Sequence, residues 1–169
     1  YSGHINHTND GTILLTEQGH GTPLESFLVR QLACLDVHVR PDRFVDLLLD
    51  DPGNQVIGVS RSPERAELFL RYRSRADLSR YRYVQADLNR DMPALLKLLD
   101  AERPEKVVNF AAQSEVAPSW EQPEHWYQTN CVALAKLVNH LRRQNYLQRY
   151  LHISSPEVYG TCEGQINES

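Results

Sequence analysis

The sequence predicts a doubly wound α/β sheet, and three observations carry that prediction. Five short apolar runs punctuate the chain, and segments long enough to hold a helix separate them. Most of the runs are continuously apolar rather than alternating, which suits strands covered on both faces. The connections are too long for hairpins and several carry apolar residues at helical spacing, so parallel strands joined by crossover helices follow, with helices on both faces of the sheet.

Taken in order, residues 1–11 are polar, aperiodic and read as a tail. Residues 12–16 (Thr-Ile-Leu-Leu-Thr) form the first strand, bounded by Gly11. Thr22 and Pro23 then offer an N-cap and a first helical position for a helix carrying Leu24, Phe27, Leu28 and Leu32. Pro41-Asp42 opens a second helix with Phe44, Val45, Leu47, Leu48 and Leu49, closed by the turn Asp51-Pro52-Gly53-Asn54. The second strand covers 55–60. A helix is expected from Pro63 to about Tyr72, and a strand over 81–86. Pro93 sits in the first turn of a helix with Leu95, Leu96, Leu98 and Leu99. A strand covers 106–112, a long helix about 123–144, and a fifth strand 150–154. The domain therefore runs over 12–169.

Composition narrows the functional classes. With 41% hydrophobic and 24% charged residues the chain has the balance of a globular domain. No apolar run reaches the roughly 18 residues of a membrane helix, and no leader opens the chain, so no membrane association is expected. A net charge of −4 disfavours a nucleic-acid partner. Seven arginines fall between 61 and 82, but Glu64, Glu67 and Asp77 dilute them into a solvated face. Cys34, Cys131 and Cys162 form neither a disulfide framework nor a CxxC pair, which fits a reducing, cytoplasmic setting. His4 and His7 belong to the tail, and no metal site is expected.

In such sheets ligands bind beyond the carboxyl ends of the strands, so the residues there are the candidates. After the first strand, Gly19-His20-Gly21 gives a G-x-G spacing. Either it brings backbone N–H groups to a pyrophosphate or it is an ordinary strand-to-helix turn, since Leu24 stands where a third glycine is needed. After the second, Ser60 and Arg61 replace the acidic residue of an NAD site and lean towards a 2′-phosphate, hence NADP over NAD; a solvated Arg is the alternative. Asp87 and Leu88 follow the third strand. Ala111, Ala112 and Gln113 end the fourth, where small residues permit close approach of a planar ligand or tight helix packing. After the fifth, Ser155 and Glu157 place a hydroxyl and a carboxylate at the ligand edge, suited to binding a substrate oxygen and moving a proton, or to solvating a turn.

The segments VVNFAAQSEVAPSWEQPEHWYQTN and YLHISSPEVYG resemble the extended short-chain dehydrogenase/reductase superfamily, and within it the nucleotide-sugar epimerases and 4,6-dehydratases. The resemblance covers roughly 55–169. It implies a Rossmann-like fold, an NAD(P) cofactor and a nucleotide-diphosphate sugar as substrate, processed through a 4-keto intermediate with lyase or isomerase outcome. Residue by residue, it implies that Asp87 and Leu88 contact adenine, that Ala111, Ala112 and Gln113 lie along the ribose and pyrophosphate, and that Ser114, Glu115 and Val116 approach the sugar. It also implies that Ser155 binds the sugar 4-oxygen, that Glu157 handles the C5 proton, and that a homodimer forms through helices such as 123–144.

The departures are as informative. The family's T-G-x-x-G-x-x-G turn is missing: counted from Thr16, its glycines fall on Glu17, His20 and Pro23, and with a two-residue shortening Gln18 and Gly21 take the second and third places. Residues 35–54 read as an insertion. Pro156 stands between the hydroxyl and the carboxylate, where it cannot act as an acid. Tyr159 has Glu163 four residues on rather than the Lys of the family's Tyr-x-x-x-Lys motif, and the expectation is an incomplete fold without the C-terminal substrate lobe. The expectation is a cofactor-binding part of an enzyme, inactive by itself. A non-catalytic binding or regulatory homologue is the alternative.

Overall fold

The computed structural model describes residues 11–17, 41–113 and 116–154. Five strands form one sheet in the order β3-β2-β1-β4-β5. They are β1 (Gly11–Glu17), β2 (Asn54–Ser60), β3 (Tyr81–Gln85), β4 (Lys106–Asn109) and β5 (Arg149–His152). The helices are α1 (Pro41–Leu48), α2 (Met92–Glu102), α3 (Val116–Glu121), α4 (Pro123–Trp126) and α5 (Leu134–Leu141), with a π-helical stretch, Tyr127–Ala133, joining the last two. The helix expected from Thr22 lies outside the described residues.

Alternation along the strands divides the core between the two faces. On one face Val56, Val108 and Phe110 pack with Phe44, Val45 and Leu48 of α1 and with Leu49 just after it. On the other, Ile57, Val59 and Val107 pack with Met92, Leu95 and Leu99 of α2 and with Ala133, Leu137 and Leu141 at helical spacing. Helices thus cover both faces, as an α/β Rossmann-like fold requires.

One strand departs from the expected parallel arrangement. β2 pairs parallel with β3, and β4 with β5. β1, at the centre, runs antiparallel to both neighbours, with Gly11 opposite Ser60 and Glu17 opposite Asn54 on one side, and Thr12 opposite Asn109 on the other. An apolar strand satisfies its backbone groups in either direction, so the composition of residues 12–16 does not fix which way the strand lies. The direction does fix where the chain goes next: β1 ends beside the amino end of β2.

The segment between β2 and β3 is a second departure. In place of a helix from Pro63 it forms two short 3₁₀ turns, Glu67–Phe69 and Arg71–Ser74. Lateral bonds hold it in that form. The hydroxyl of buried Tyr72 donates to Glu64 Oε1 at 2.7 Å and meets the Tyr81 hydroxyl at 3.1 Å, and Arg73 pairs with Glu64. In a regular helix Glu64 and Tyr72 would stand about 12 Å apart along the axis. Burial pushes both phenols up, Tyr81 to about 12. Gly58 in β2 is required under this network, because a Cβ there would lie 2.6 Å from the Tyr81 hydroxyl. Arg75 bonds Asp46 and Asp50, while Arg80 donates to the carbonyls of Leu49, Asp51 and Asn54, so the C-terminal end of α1 is fastened to the same segment.

Candidate functional site

The carboxyl ends of β2, β3, β4 and β5 lie along one edge of the sheet, since all four run the same way. A shallow, open concavity lies there, and Val59, Arg61, Ala86, Asp87, Leu88, Asn89, Ala111, Ala112, Gln113 and Thr129 line it. Four segments distant in sequence meet in it: the end of β2, the loop after β3, the loop after β4 and the π-helical stretch. Six of the residues singled out from the sequence come together here, namely Arg61, Asp87, Leu88, Ala111, Ala112 and Gln113. Ser60 lies between two lining residues and, in the alternation of an extended chain, outside the lining. Val116 begins α3. Gly19, Gly21, Ser114, Glu115, Ser155 and Glu157 lie outside the described residues.

The loop after β3 owes its shape to two carboxylates. Asp87 Oδ1 accepts from the backbone N–H of Asn89 at 2.7 Å and of Arg90 at 3.3 Å, and the Asp87 N–H donates to Asp91 Oδ2 at 2.9 Å. Asp91 in turn precedes the first turn of α2, so the loop is built as part of a helix start. Asp87 Oδ1 is committed to this turn, which leaves Oδ2 for a ligand. Arg61 is held by its main chain: Gln85 Nε2 donates to its carbonyl at 2.9 Å, and the Tyr83 hydroxyl donates to the carbonyl of Ser62.

The far wall depends on residues that sequence reasoning did not assign. In the π-helical stretch, Thr129 Oγ1 accepts from Asn89 Nδ2 at 3.0 Å. The next residue, Asn130, accepts from the Gln113 N–H at 2.8 Å and donates to the Gln113 carbonyl at 2.9 Å. Two consecutive side chains therefore hold the β3 loop and the β4 loop. π-helical turns are rare and are frequently found at functional sites. The Thr129-Asn130 pair is visible in the sequence, but only its pairing across the pocket shows what it does. Below it, buried Asn109 accepts from the Ala111 N–H at 3.1 Å, and its amide nitrogen lies 3.1 Å from His152 Nδ1. With Oδ1 used on Ala111, the amide donates and His152 Nδ1 accepts. Partial burial lowers the His152 pKa, in keeping with a neutral ring.

The family model for GDP-mannose 4,6 dehydratase matches residues 43–169. The chain belongs to the GDP-mannose 4,6 dehydratase family. The match takes in the whole pocket, α1 from its third residue, and residues 43–54 of the stretch read from the sequence as an insertion. It leaves out β1. Two curated relatives, the dTDP-glucose 4,6-dehydratases of two strains of Xanthomonas campestris pv. campestris, are each 36% identical to this chain over 87 residues. That alignment spans 47% of this chain and 24% of each relative, so the dehydratase-family chain seen here covers about a quarter of their length. Among solved structures, the Bordetella bronchiseptica enzyme WbmH in complex with NAD+ matches with a TM-score of 0.54 at 22% identity, over 72% of this chain and 37% of that one. It supports the Rossmann-like fold. Among the described residues there is no cluster of three potential metal ligands, and no helix is long and apolar enough to cross a membrane.

Proposed function

We propose that this chain forms the nucleotide-binding part of a nucleotide-sugar 4,6-dehydratase or epimerase, and that its pocket receives the adenosine end of NAD(P). The observation that carries the reading is the convergence of Arg61, Asp87, Leu88 and Ala111–Gln113 at the carboxyl edge of the sheet. Leu88, Ala111 and Ala112 offer an apolar slot for a flat base. Asp87 Oδ2 suits an exocyclic amine. Arg61 suits a 2′-phosphate, which favours NADP. The cofactor would supply hydride acceptance from, and return to, the sugar ring. In the whole protein Ser155 would donate a hydrogen bond to the sugar 4-oxygen, and Glu157 would take the proton at C5. Ser114, Glu115 and Val116 would flank the sugar. Exposed Trp120, Tyr127, Val132 and Val138 on the helices between 116 and 141 suit contact with a second copy. The three widely spaced cysteines, with no CxxC pair, suit a reducing, cytoplasmic setting.

Calorimetric titration with NADP+ and NAD+ tests the reading. Binding of either that weakens roughly tenfold or more in Ala112→Trp, with the circular dichroism spectrum unchanged, supports it. Arg61→Ala should remove any preference for NADP+, a loss of about 1.5 kcal/mol for a charge-assisted bond. No binding of either nucleotide contradicts it.

A further inference from the structure

We infer that this chain holds its ligand by the adenosine monophosphate end alone, so that the pocket is a mononucleotide site rather than a dinucleotide site. The inference rests on the adenine-nucleotide reading above and adds to it which part of the cofactor is held. A dinucleotide needs a second element at the same edge: a turn of backbone N–H groups at a helix N-terminus to take the diphosphate. In a parallel sheet the central strand would deliver that turn. Here β1 runs the other way, with Gly11 beside Ser60 at the pocket edge and Glu17 beside Asn54 at the opposite edge. β1 therefore ends about 20 Å from the pocket edge by strand rise.

The helix that does point to the pocket edge fits a diphosphate no better. The C-terminal end of α1 lies at the far edge, where Asn54 Nδ2 donates to the Leu48 carbonyl at 2.9 Å, and its N-terminal half lies towards the pocket edge, where Phe44 meets Phe110 edge-on at 5.5 Å. Its first residue is Pro41, which has no N–H to donate, and Asp42 places a carboxylate in the first turn, where it opposes a bound anion. No glycine occurs from 22 to 40, so the approach to this helix has none of the residues that let backbone close on a phosphate. The family match, which begins at residue 43, stops short of all these positions. Among the described residues the elements of the adenosine half come together and no backbone cradle for a diphosphate does.

A cradled diphosphate accepts several charge-assisted hydrogen bonds, and even one such bond raises affinity roughly tenfold or more. The test is a calorimetric titration of the chain with 5′-AMP, NAD+ and nicotinamide mononucleotide, repeated in Ala112→Trp to confirm that binding is in the pocket. The inference predicts AMP and NAD+ constants within about fivefold of each other, both weakened in Ala112→Trp, and no binding of nicotinamide mononucleotide. NAD+ binding tighter than AMP by more than that margin overturns the inference and leaves the adenine-nucleotide reading standing. Failure of both AMP and NAD+ to bind overturns that reading and the inference with it.

Discussion

The four parallel strands and the central antiparallel one obey the same hydrogen-bonding rules and have opposite consequences. β2, β3, β4 and β5 all end at one edge, and each of the first three hands a loop directly to the pocket. β1 contributes a paired strand to the middle of the sheet and carries the chain away from the pocket. A sheet takes a strand in either direction, whereas a ligand site depends on where the strand ends lie. The comparison teaches that sheet and site are separable: the fold tolerates a reversed strand, while the pocket draws only on the ends of the strands that run the other way.

The largest effect should come from the core that the parallel strands share with α2. Leu99 is fully buried against the face formed by Ile57, Val59 and Val107. Leu99→Ala should lower unfolding free energy by about 2–5 kcal/mol, read as the shift in urea midpoint. Because α2 starts at the Asp87–Asp91 loop, nucleotide affinity should fall with it near the midpoint. A smaller loss would mean that the parallel half is less tightly packed than its burial indicates.

A more local change sharpens the contrast between pocket and sheet. Asn130→Leu removes both bonds to the Gln113 backbone and leaves that peptide partly buried without them, at a cost of about 1–3 kcal/mol. Nucleotide binding should weaken while the strand pairing, read by amide hydrogen exchange in β2 and β4, is retained. Equal protection loss across the sheet would show that the clamp belongs to the fold rather than to the pocket.

The smallest effect is a pH dependence at the foot of β5. The His152 pKa is lowered by burial, so the folded chain binds fewer protons there than the unfolded one. Its contribution to stability is present above the unfolded value, about 6.5, and is lost as pH falls from there through the lower folded value. Urea midpoints at pH 7.5 and 5.5 should differ in that direction, and His152→Gln, which keeps an acceptor for Asn109, should reduce the difference. An unchanged difference would remove His152 from the account.

Much of this architecture is legible in the sequence. The five apolar runs lie within two or three residues of the five strands, and the pairs Asp87-Leu88 and Ala111-Ala112, singled out at strand ends and by the family resemblance, line two walls of the pocket. What is not legible follows from geometry that a linear pattern does not carry. The apolar pattern of residues 12–16, three aliphatic residues between two threonines, is the same in both directions, so the reversal of β1 is invisible. The 61–80 segment has helix-compatible composition, yet the Glu64–Tyr72–Tyr81 network holds it in 3₁₀ turns. Thr129 and Asn130 acquire a role only when the π-helical stretch brings both to the pocket.

The direction of β1 is the claim on which the account turns, and cross-linking tests it directly. In a background with Cys34, Cys131 and Cys162 changed to Ser, two pairs are compared under mild oxidation: Glu17→Cys with Asn54→Cys, and Glu17→Cys with Ser60→Cys. The antiparallel register predicts a disulfide in the first pair and none in the second. A disulfide in the second pair and not the first would place the end of β1 at the pocket edge and contradict the account.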